Sequence, residues 1–186
     1  MAPKLRDFLK QINPSLELSE IPVVEEPTVI CQTPTPETYC GYSRGDVNNP
    51  GGLRPMEAVD YENPGVYSKP GIYLQGKWRS DRQYLEHMGE NPSDYLVLPF
   101  DAVSVNLVMT HRSSETVSLT IEFDNSSLND ATEGSDVSNS TVVVIEPRMY
   151  NLFRADKFTS GILRLKDLPD GLRLYAFAFG GCTGLV

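Results

Sequence analysis

Two stretches in which apolar residues recur at every second position constrain the fold of this chain most. In "AVSVNLVMT" (102–110) each second residue from Val103 to Met109 is apolar, and "TVSLTIEFD" (116–124) repeats the pattern from Val117. Successive side chains of a β-strand point to opposite faces of the sheet, so this period predicts strands that are buried on one face.

Five further segments favour strands and extend the pattern to the C-terminal end. They are "IYLQGKWRSDRQYLEHM" (72–88), "DYLVLPF" (94–100), "TVVVIE" (141–146), "SGILRLKDL" (160–168) and "GLRLYAFAFGG" (171–181). Short strands joined by turns, with neither an internal repeat nor a βαβ alternation, predict an all-β fold. We expect an antiparallel β-sandwich of jelly-roll type over residues 41–186.

The N-terminal part has a different character. Residues 3–12, "PKLRDFLKQI", place Leu5, Phe8, Leu9 and Ile12 at helical spacing, which predicts a short helix within residues 1–13. Residues 14–40 are rich in proline and predict an extended linker or arm that lies over a surface.

Composition and charge exclude some classes of partner. The chain has 186 residues, a net charge of −9 and 40% hydrophobic residues, which fits one domain with a core. Negative charge repels phosphate backbones, so we expect no nucleic-acid partner. The sequence has neither an apolar run of membrane length nor an apolar signal core, so we expect no membrane insertion and, if the chain is complete, a cytoplasmic location.

The cysteines and histidines offer no obvious cofactor site. Cys31, Cys40 and Cys182 form no CxxC pair, and we expect free thiols. A bridge from Cys31 to Cys40 is the alternative, and it requires the eight residues between them to fold back. With only two histidines in the chain, a zinc site is not expected. We expect no cofactor.

Two loops could in principle hold a structural calcium ion. "GDVNNPGG" (45–52) and "DNSSLNDATEGSD" (124–136) are rich in oxygen ligands, although neither matches an EF-hand loop. Hydrogen bonding of the loop side chains to their own backbone explains these residues better.

Catalysis is not predicted. His87 lies in a charged stretch and His111 at the end of a strand, and neither accompanies the G-x-S-x-G turn of a serine nucleophile. The chain holds 25 acidic residues, so a suggestive carboxylate pair would arise by chance. We therefore expect a non-enzymatic protein.

One group of residues has the chemistry of a sugar site. Sugar rings present apolar C–H faces and a rim of hydroxyls, so they bind aromatic faces flanked by planar polar groups. Trp78, Tyr73 and Tyr84, with Arg79 nearby, supply these types. Burial of Trp78 in the core is the favoured alternative for that residue, whereas the two possibilities are balanced for Tyr84.

A second group lies in "VVVIEPRMYNLFR" (142–154), where a strand meets a proline. In one interpretation Arg148 and Tyr150 face a groove that binds a ligand. In the other, which we favour, the strand stops at Pro147, Arg148 pairs with Glu146 or another acid, and Tyr150 packs between layers.

Five segments in order resemble the C-terminal domain of DipZ-type thiol:disulfide interchange proteins and related thioredoxin-like proteins. They are "TPETYCGYSR" (35–44), "GKW" (76–78), "DYLVLPFDAVSVNLVM" (94–109), "VIEPRMYNLFR" (144–154) and "GLRLYAFAFGGC" (171–182). The resemblance implies a sandwich like that of carbohydrate-binding modules, placed after a thioredoxin-like domain whose last helix would be residues 1–13. It also implies an extracytoplasmic location.

The resemblance also sets the functional expectation. The redox chemistry of that family belongs to a CxxC in the thioredoxin-like part, and this chain has none. We expect a non-catalytic accessory module that binds carbohydrate or another cell-envelope ligand. The alternative is an interaction module without a small-molecule ligand, which docks a thioredoxin-like domain or forms a homodimer.

Overall fold

The computed structural model describes residues 11–13, 29–89, 91–113 and 115–183. Of the predicted helix, residues 11 and 12 are described and are helical, while residues 3–10 lie outside the described part. The first half of the predicted arm, residues 14–28, also lies outside it. No helix among the described residues is long and apolar enough to cross a membrane.

The described residues form thirteen strands, which confirms the all-β prediction. They are β1 (Ile30–Cys31), β2 (Thr38–Tyr39), β3 (Ala58–Tyr61), β4 (Tyr73–Ser80), β5 (Leu85–His87), β6 (Tyr95–His111), β7 (Val117–Phe123), β8 (Ser126–Ser127), β9 (Val137–Ser138), β10 (Thr141–Val144), β11 (Arg148–Lys166), β12 (Leu172–Gly180) and β13 (Cys182–Thr183).

Eleven of these strands belong to one sheet, in which the paired strands run antiparallel. Its order is β2-β12-β5-β4-β6-β11-β7-β10-β9, with β3 added to β4 and β8 added to β7. Strands β1 and β13 form a separate two-stranded sheet. The two long strands, β6 and β11, pair with each other along most of their length, and β11 also pairs with β7 near its end. β6 pairs with β4 near its start and with β12 near its end, so it joins the two parts of the sheet.

The alternating stretches pack as their period predicts from Val105 onward, whereas Val103 is only half-buried and Ala102 is buried, next to a register shift between β6 and β11. Val105, Leu107 and Met109 of β6 are fully buried, as is Ile121 of β7. Phe123, at the end of β7, is partly buried and packs against the same core. The polar residues between these positions lie on the other face of the sheet, so one face of each strand builds the core.

The segment after β10 has the structural role that we favoured. Tyr150 is fully buried, and its hydroxyl accepts hydrogen bonds from the backbone N–H groups of Ile145 (3.1 Å) and Glu146 (3.2 Å) and donates to the Glu146 carbonyl (2.7 Å). Arg148 pairs with Asp136 at 2.7 Å and lies 3.9 Å from Glu146. Tyr150 is therefore a buried support of the turn, and the ligand-binding interpretation is wrong for its ring.

The expectation of free thiols is wrong for two of the three cysteines. Cys31 and Cys182 form a disulfide, and Cys40 remains free and buried. The bond follows from strand pairing, because Cys31 of β1 lies directly opposite Cys182 of β13 with 4.1 Å between their Cα atoms. The two residues are 151 positions apart, so their spacing in the sequence gave no sign of the pairing.

Candidate functional site

A β-bulge in β12 places two neighbouring residues on the same outer face of the sheet. The register with β6 shifts between Leu174 and Ala176, so Tyr175 is the additional residue. Leu174 and Phe177 on either side are fully buried, whereas Tyr175 and Ala176 are half-buried. Bulges re-aim side chains and often occur beside functional sites. Here the bulge turns Tyr175 away from the core.

Tyr175 forms one wall of a groove of about 390 Å³. We call this the tyrosine–arginine groove; its lining includes Tyr39, Arg44, Arg82, Gln83, Tyr175 and Ala176. The groove joins three distant parts of the chain, because Tyr39 belongs to β2, Arg82 and Gln83 to the turn between β4 and β5, and Tyr175 to β12. Pairing of Tyr39 with Ala176 brings β2 to this edge.

The second wall is built on Tyr39. The guanidinium of Arg44 lies 3.8 Å from the centre of its ring, and its hydroxyl donates a hydrogen bond to Glu37 at 2.5 Å. That hydrogen bond to Glu37 raises the pKa of the Tyr39 hydroxyl, so the tyrosine stays neutral. With a cation on one face and its proton donated to Glu37, the ring leaves its edge and the acceptor capacity of its hydroxyl oxygen for contacts in the groove.

The segment after Tyr39 is held against the turn between β4 and β5 by close backbone contacts at Gly41. A Cβ atom at this position would lie 2.3 Å from the backbone carbon of Gln83, so a side chain there would separate the segment from the turn. The N–H groups of Tyr42 and Ser43 donate to the carbonyls of Asp81 (2.9 Å) and Arg82 (3.2 Å). The groove is therefore fixed by the backbone.

A second aromatic–cation pair extends the face beside the groove. The ring of Tyr84 lies 5.4 Å from that of Tyr175, and the guanidinium of Arg173 lies 4.9 Å from the centre of the Tyr84 ring. Partial burial raises the pKa of the Tyr84 hydroxyl, against the opposing effect of the Arg173 charge. Tyr84 is thus also neutral, and with Tyr175 it forms a continuous aromatic surface.

A buried carboxylate orients this pair from below. Glu86 is only 2% exposed, and it accepts hydrogen bonds from Arg173 at 3.0 Å and Arg112 at 2.8 Å. Arg112 also binds Asp170 at 2.7 Å. The carboxylates of Glu86 and Asp170 balance the charges of Arg112 and Arg173, so this group of ion pairs holds Arg173 against Tyr84.

The predicted ligand-binding residues are not brought together. Trp78 is fully buried, with its Nε1–H donating to the Gln75 carbonyl at 3.0 Å and its ring 5.1 Å from His87. Tyr73 is 3% exposed and its hydroxyl serves the loop at Ser68. Neither ring offers a face to a ligand, because both side chains are buried.

The remaining candidates divide between two places. Tyr84 lies on the face described above, and Arg79 is half-buried opposite Glu86 on the neighbouring strand. Arg148 and Tyr150 lie elsewhere, at the turn that opens β11. Of the six predicted residues, Tyr84 contacts a residue that lines the groove, since its ring packs at a tilted angle against that of Tyr175.

Neither histidine lines the groove. His87 is fully buried, with its ring nitrogens 3.1 Å from Asp94 and from the Pro169 carbonyl. His111 lies 2.9 Å from the Ser113 hydroxyl, which also lies 2.8 Å from Glu115. The hydroxyl carries a single proton, so it can donate to only one of these two side chains. Within residues 11–13, 29–89, 91–113 and 115–183, no group of three or more His, Cys, Asp or Glu side chains is placed to hold a metal ion.

The groove residues that the sequence analysis missed come from segments far apart in the chain. One signal was nevertheless present in "LRLYAFAF" (172–179), where the spacing of the large apolar residues changes from two to three between Leu174 and Phe177. A single extra residue in a period of two is the sequence sign of a bulge. It identifies Tyr175 and Ala176 as outward-facing.

A family model described as the thioredoxin-like C-terminal domain matches residues 35–180, a range that contains the whole groove. No curated protein matches the chain.

Proposed function

Because the chain belongs to the family of thioredoxin-like C-terminal domains, we propose that it binds carbohydrate or another cell-envelope ligand through the tyrosine–arginine groove. The observation that carries the proposal is the β12 bulge, which exposes Tyr175 between Tyr39 and Tyr84. As an accessory module, the chain would hold a thioredoxin-like protein near such a ligand.

The chemistry of the groove suits a sugar. The aromatic rings offer apolar faces for C–H groups, while arginine guanidinium groups and the Gln83 amide donate hydrogen bonds to hydroxyls. Glu37 and Asp46 lie beside the groove, outside its lining, and bind the hydroxyl and the backbone N–H of Tyr39. These neighbouring carboxylates offset the charge of the lining arginines, which favours a neutral, hydroxyl-rich ligand over a polyanion.

The proposal includes the finer architecture that the resemblance implies. This is a jelly-roll-type β-sandwich like that of carbohydrate-binding modules, reached through a proline-rich arm in a DipZ-type protein. β6 pairs with β4 near its start and with β12 near its end, and this change of neighbour supports the two-layer arrangement. The disulfide supports an extracytoplasmic location, because such bonds persist mainly in oxidising compartments.

A glycan array tests the ligand proposal with a matched control. Tyr175→Ala and Tyr84→Ala should each weaken binding about tenfold, because they remove aromatic surface in the groove and directly beside it, respectively. Tyr95→Ala is the control, since Arg164 lies 4.9 Å from the centre of that ring in a pair outside the groove. Equal loss of binding in all three variants, or an array without binding, would overturn the proposal.

A self-association module is the second candidate. Val143, Ile145 and Met149 are apolar and 45%, 63% and 54% exposed, and they lie on β10, in the turn after it and at the start of β11. Sedimentation that shows a dimer in wild type and a monomer in Ile145→Asp would favour this candidate.

A further inference from the structure

The small sheet of β1 and β13 presents a disulfide at the surface. Ile30 pairs with Thr183 and Cys31 with Cys182, and the two-stranded sheet has no third strand among the described residues. Both cysteines are exposed. The free Cys40 is fully buried, so the two exposed cysteines of residues 29–89, 91–113 and 115–183 belong to one disulfide.

The surroundings of the disulfide are apolar and extended. Val29 is 45% and Ile30 is 59% exposed, directly before Cys31. The backbone of β1 is hydrogen-bonded on one side to β13, while its other side has no strand partner in the described part. An extended segment with a free edge and exposed apolar side chains can add to the surface of another protein through strand-like contacts.

We propose that the Cys31–Cys182 disulfide is an exchange site for the CxxC dithiol of a thioredoxin-like domain. Exchange requires access of a thiolate to a disulfide sulfur, which the exposure of Cys31 and Cys182 provides. The family of this chain supplies the class of partner, because its members are C-terminal domains of thioredoxin-like proteins. The proposal is independent of the tyrosine–arginine groove.

The exchange is balanced in atoms and electrons. A partner thiolate attacks one sulfur of the disulfide, the bond between Cys31 and Cys182 breaks, and the released cysteine takes up a proton as its thiol. The second partner thiol, as its thiolate, then attacks the mixed disulfide and releases the other cysteine. The chain gains two electrons and two protons, and the partner dithiol is oxidised to its disulfide.

Reduction would change how the domain holds the chain that precedes it. The disulfide and the pairing of β1 with β13 attach residues 30–31 to residues 182–183, which follow β12. After reduction the backbone contacts remain, including the hydrogen bond from the Gln32 N–H to the Gly181 carbonyl at 2.8 Å, but the covalent closure is lost. The redox state of the partner would thereby control this attachment.

Trapping of the mixed disulfide tests the proposal directly. The full chain is incubated with a reduced thioredoxin whose second CxxC cysteine is replaced by serine, and adducts are mapped by mass spectrometry. The expected result is a one-to-one adduct on Cys31 or Cys182 that dithiothreitol releases. The absence of an adduct, or an adduct on Cys40, would overturn the proposal.

A rate comparison separates protein recognition from simple exposure. Ile30→Ser should slow reduction by thioredoxin about tenfold, as expected for the loss of one apolar contact, and leave reduction by dithiothreitol unchanged. Val66→Ser is the matched control, because that valine is 80% exposed in a different loop. Equal rates for both variants with thioredoxin would contradict the docking role of β1. Glycan binding reports on the groove separately, so failure of one proposal does not imply failure of the other.

Discussion

Two tyrosine–arginine pairs of the same geometry serve different purposes in this molecule. The guanidinium of Arg148 lies 3.8 Å from the ring centre of Tyr150, and that of Arg44 lies 3.8 Å from the ring centre of Tyr39. Tyr150 is fully buried, with its hydroxyl bonded to the backbone of the turn before it. Tyr39 is half-buried and lines a groove.

The difference lies in the backbone around each pair. At the start of β11 the ring of Tyr150 enters the core, so Arg148 covers a tyrosine that supports the fold. At β2 the ring meets the outward-facing bulge of β12, so a space remains between Tyr39 and Tyr175. A tyrosine and an arginine in close contact thus do not by themselves identify a binding site. The deciding feature is whether the strand directs the tyrosine side chain to the core or to the outer face of the sheet.

The largest effect on stability should come from removing the ring of Tyr150, the buried tyrosine of the two pairs. Tyr150→Ala leaves a cavity in the core and unpaired N–H groups in the turn, and we expect it to lower the free energy of unfolding by about 3–5 kcal/mol. Tyr39→Ala, on the surface, should cost less than about 1 kcal/mol. Urea denaturation measures both. A small effect of Tyr150→Ala would show that the turn does not depend on this ring.

An intermediate effect is expected at the support below the groove. Glu86→Gln removes the negative charge shared by Arg112 and Arg173, and since both arginines reach solvent in part, we expect a loss of about 2 kcal/mol. Glu115→Gln is the exposed control and should change stability by less than about 0.5 kcal/mol. Thermal unfolding compares the two. Similar melting temperatures for both variants would contradict the buried role of Glu86.

The smallest effect concerns the ion pair of the structural tyrosine. The hydrogen bond from Arg148 to Asp136 lowers the pKa of the Asp136 carboxyl in the folded protein. The ion pair therefore stabilises the fold above the pKa of this carboxyl in the unfolded chain, about 3.9. This contribution disappears as the pH falls through the lower pKa of the folded state. Asp136→Asn should therefore cost about 1 kcal/mol at neutral pH and progressively less below about pH 4. A difference that stays constant down to pH 2 would exclude this linkage.

The fold was predictable where the relevant pattern is local. The two-residue period of 102–110 and 116–124 predicted half-buried strands, and the Glu-Pro step at 146–147 predicted the end of β10 and the packing of Tyr150. These features depend on neighbouring residues, which a sequence displays directly.

The groove and the disulfide depend on contacts between distant segments. Tyr39 and Tyr175 are brought together by the pairing of β2 with β12, and Cys31 meets Cys182 through the pairing of β1 with β13. Local periodicity does not reveal strand order, so Trp78, for which burial was favoured, and Tyr84, for which the two possibilities were balanced, could not be placed relative to a site from the sequence. The additional residue in "LRLYAFAF" was the one local sign of the outward face.

The most direct test of the account is NMR observation of the tyrosine ring signals during titration with a sugar found on the glycan array. The account predicts shifts for Tyr39, Tyr84 and Tyr175, which lie in or beside the groove, and unchanged signals for Tyr95 and the buried Tyr150. Shifts centred on Tyr150 or Tyr95, with the groove signals unchanged, would contradict the claim that the β12 bulge creates the binding site.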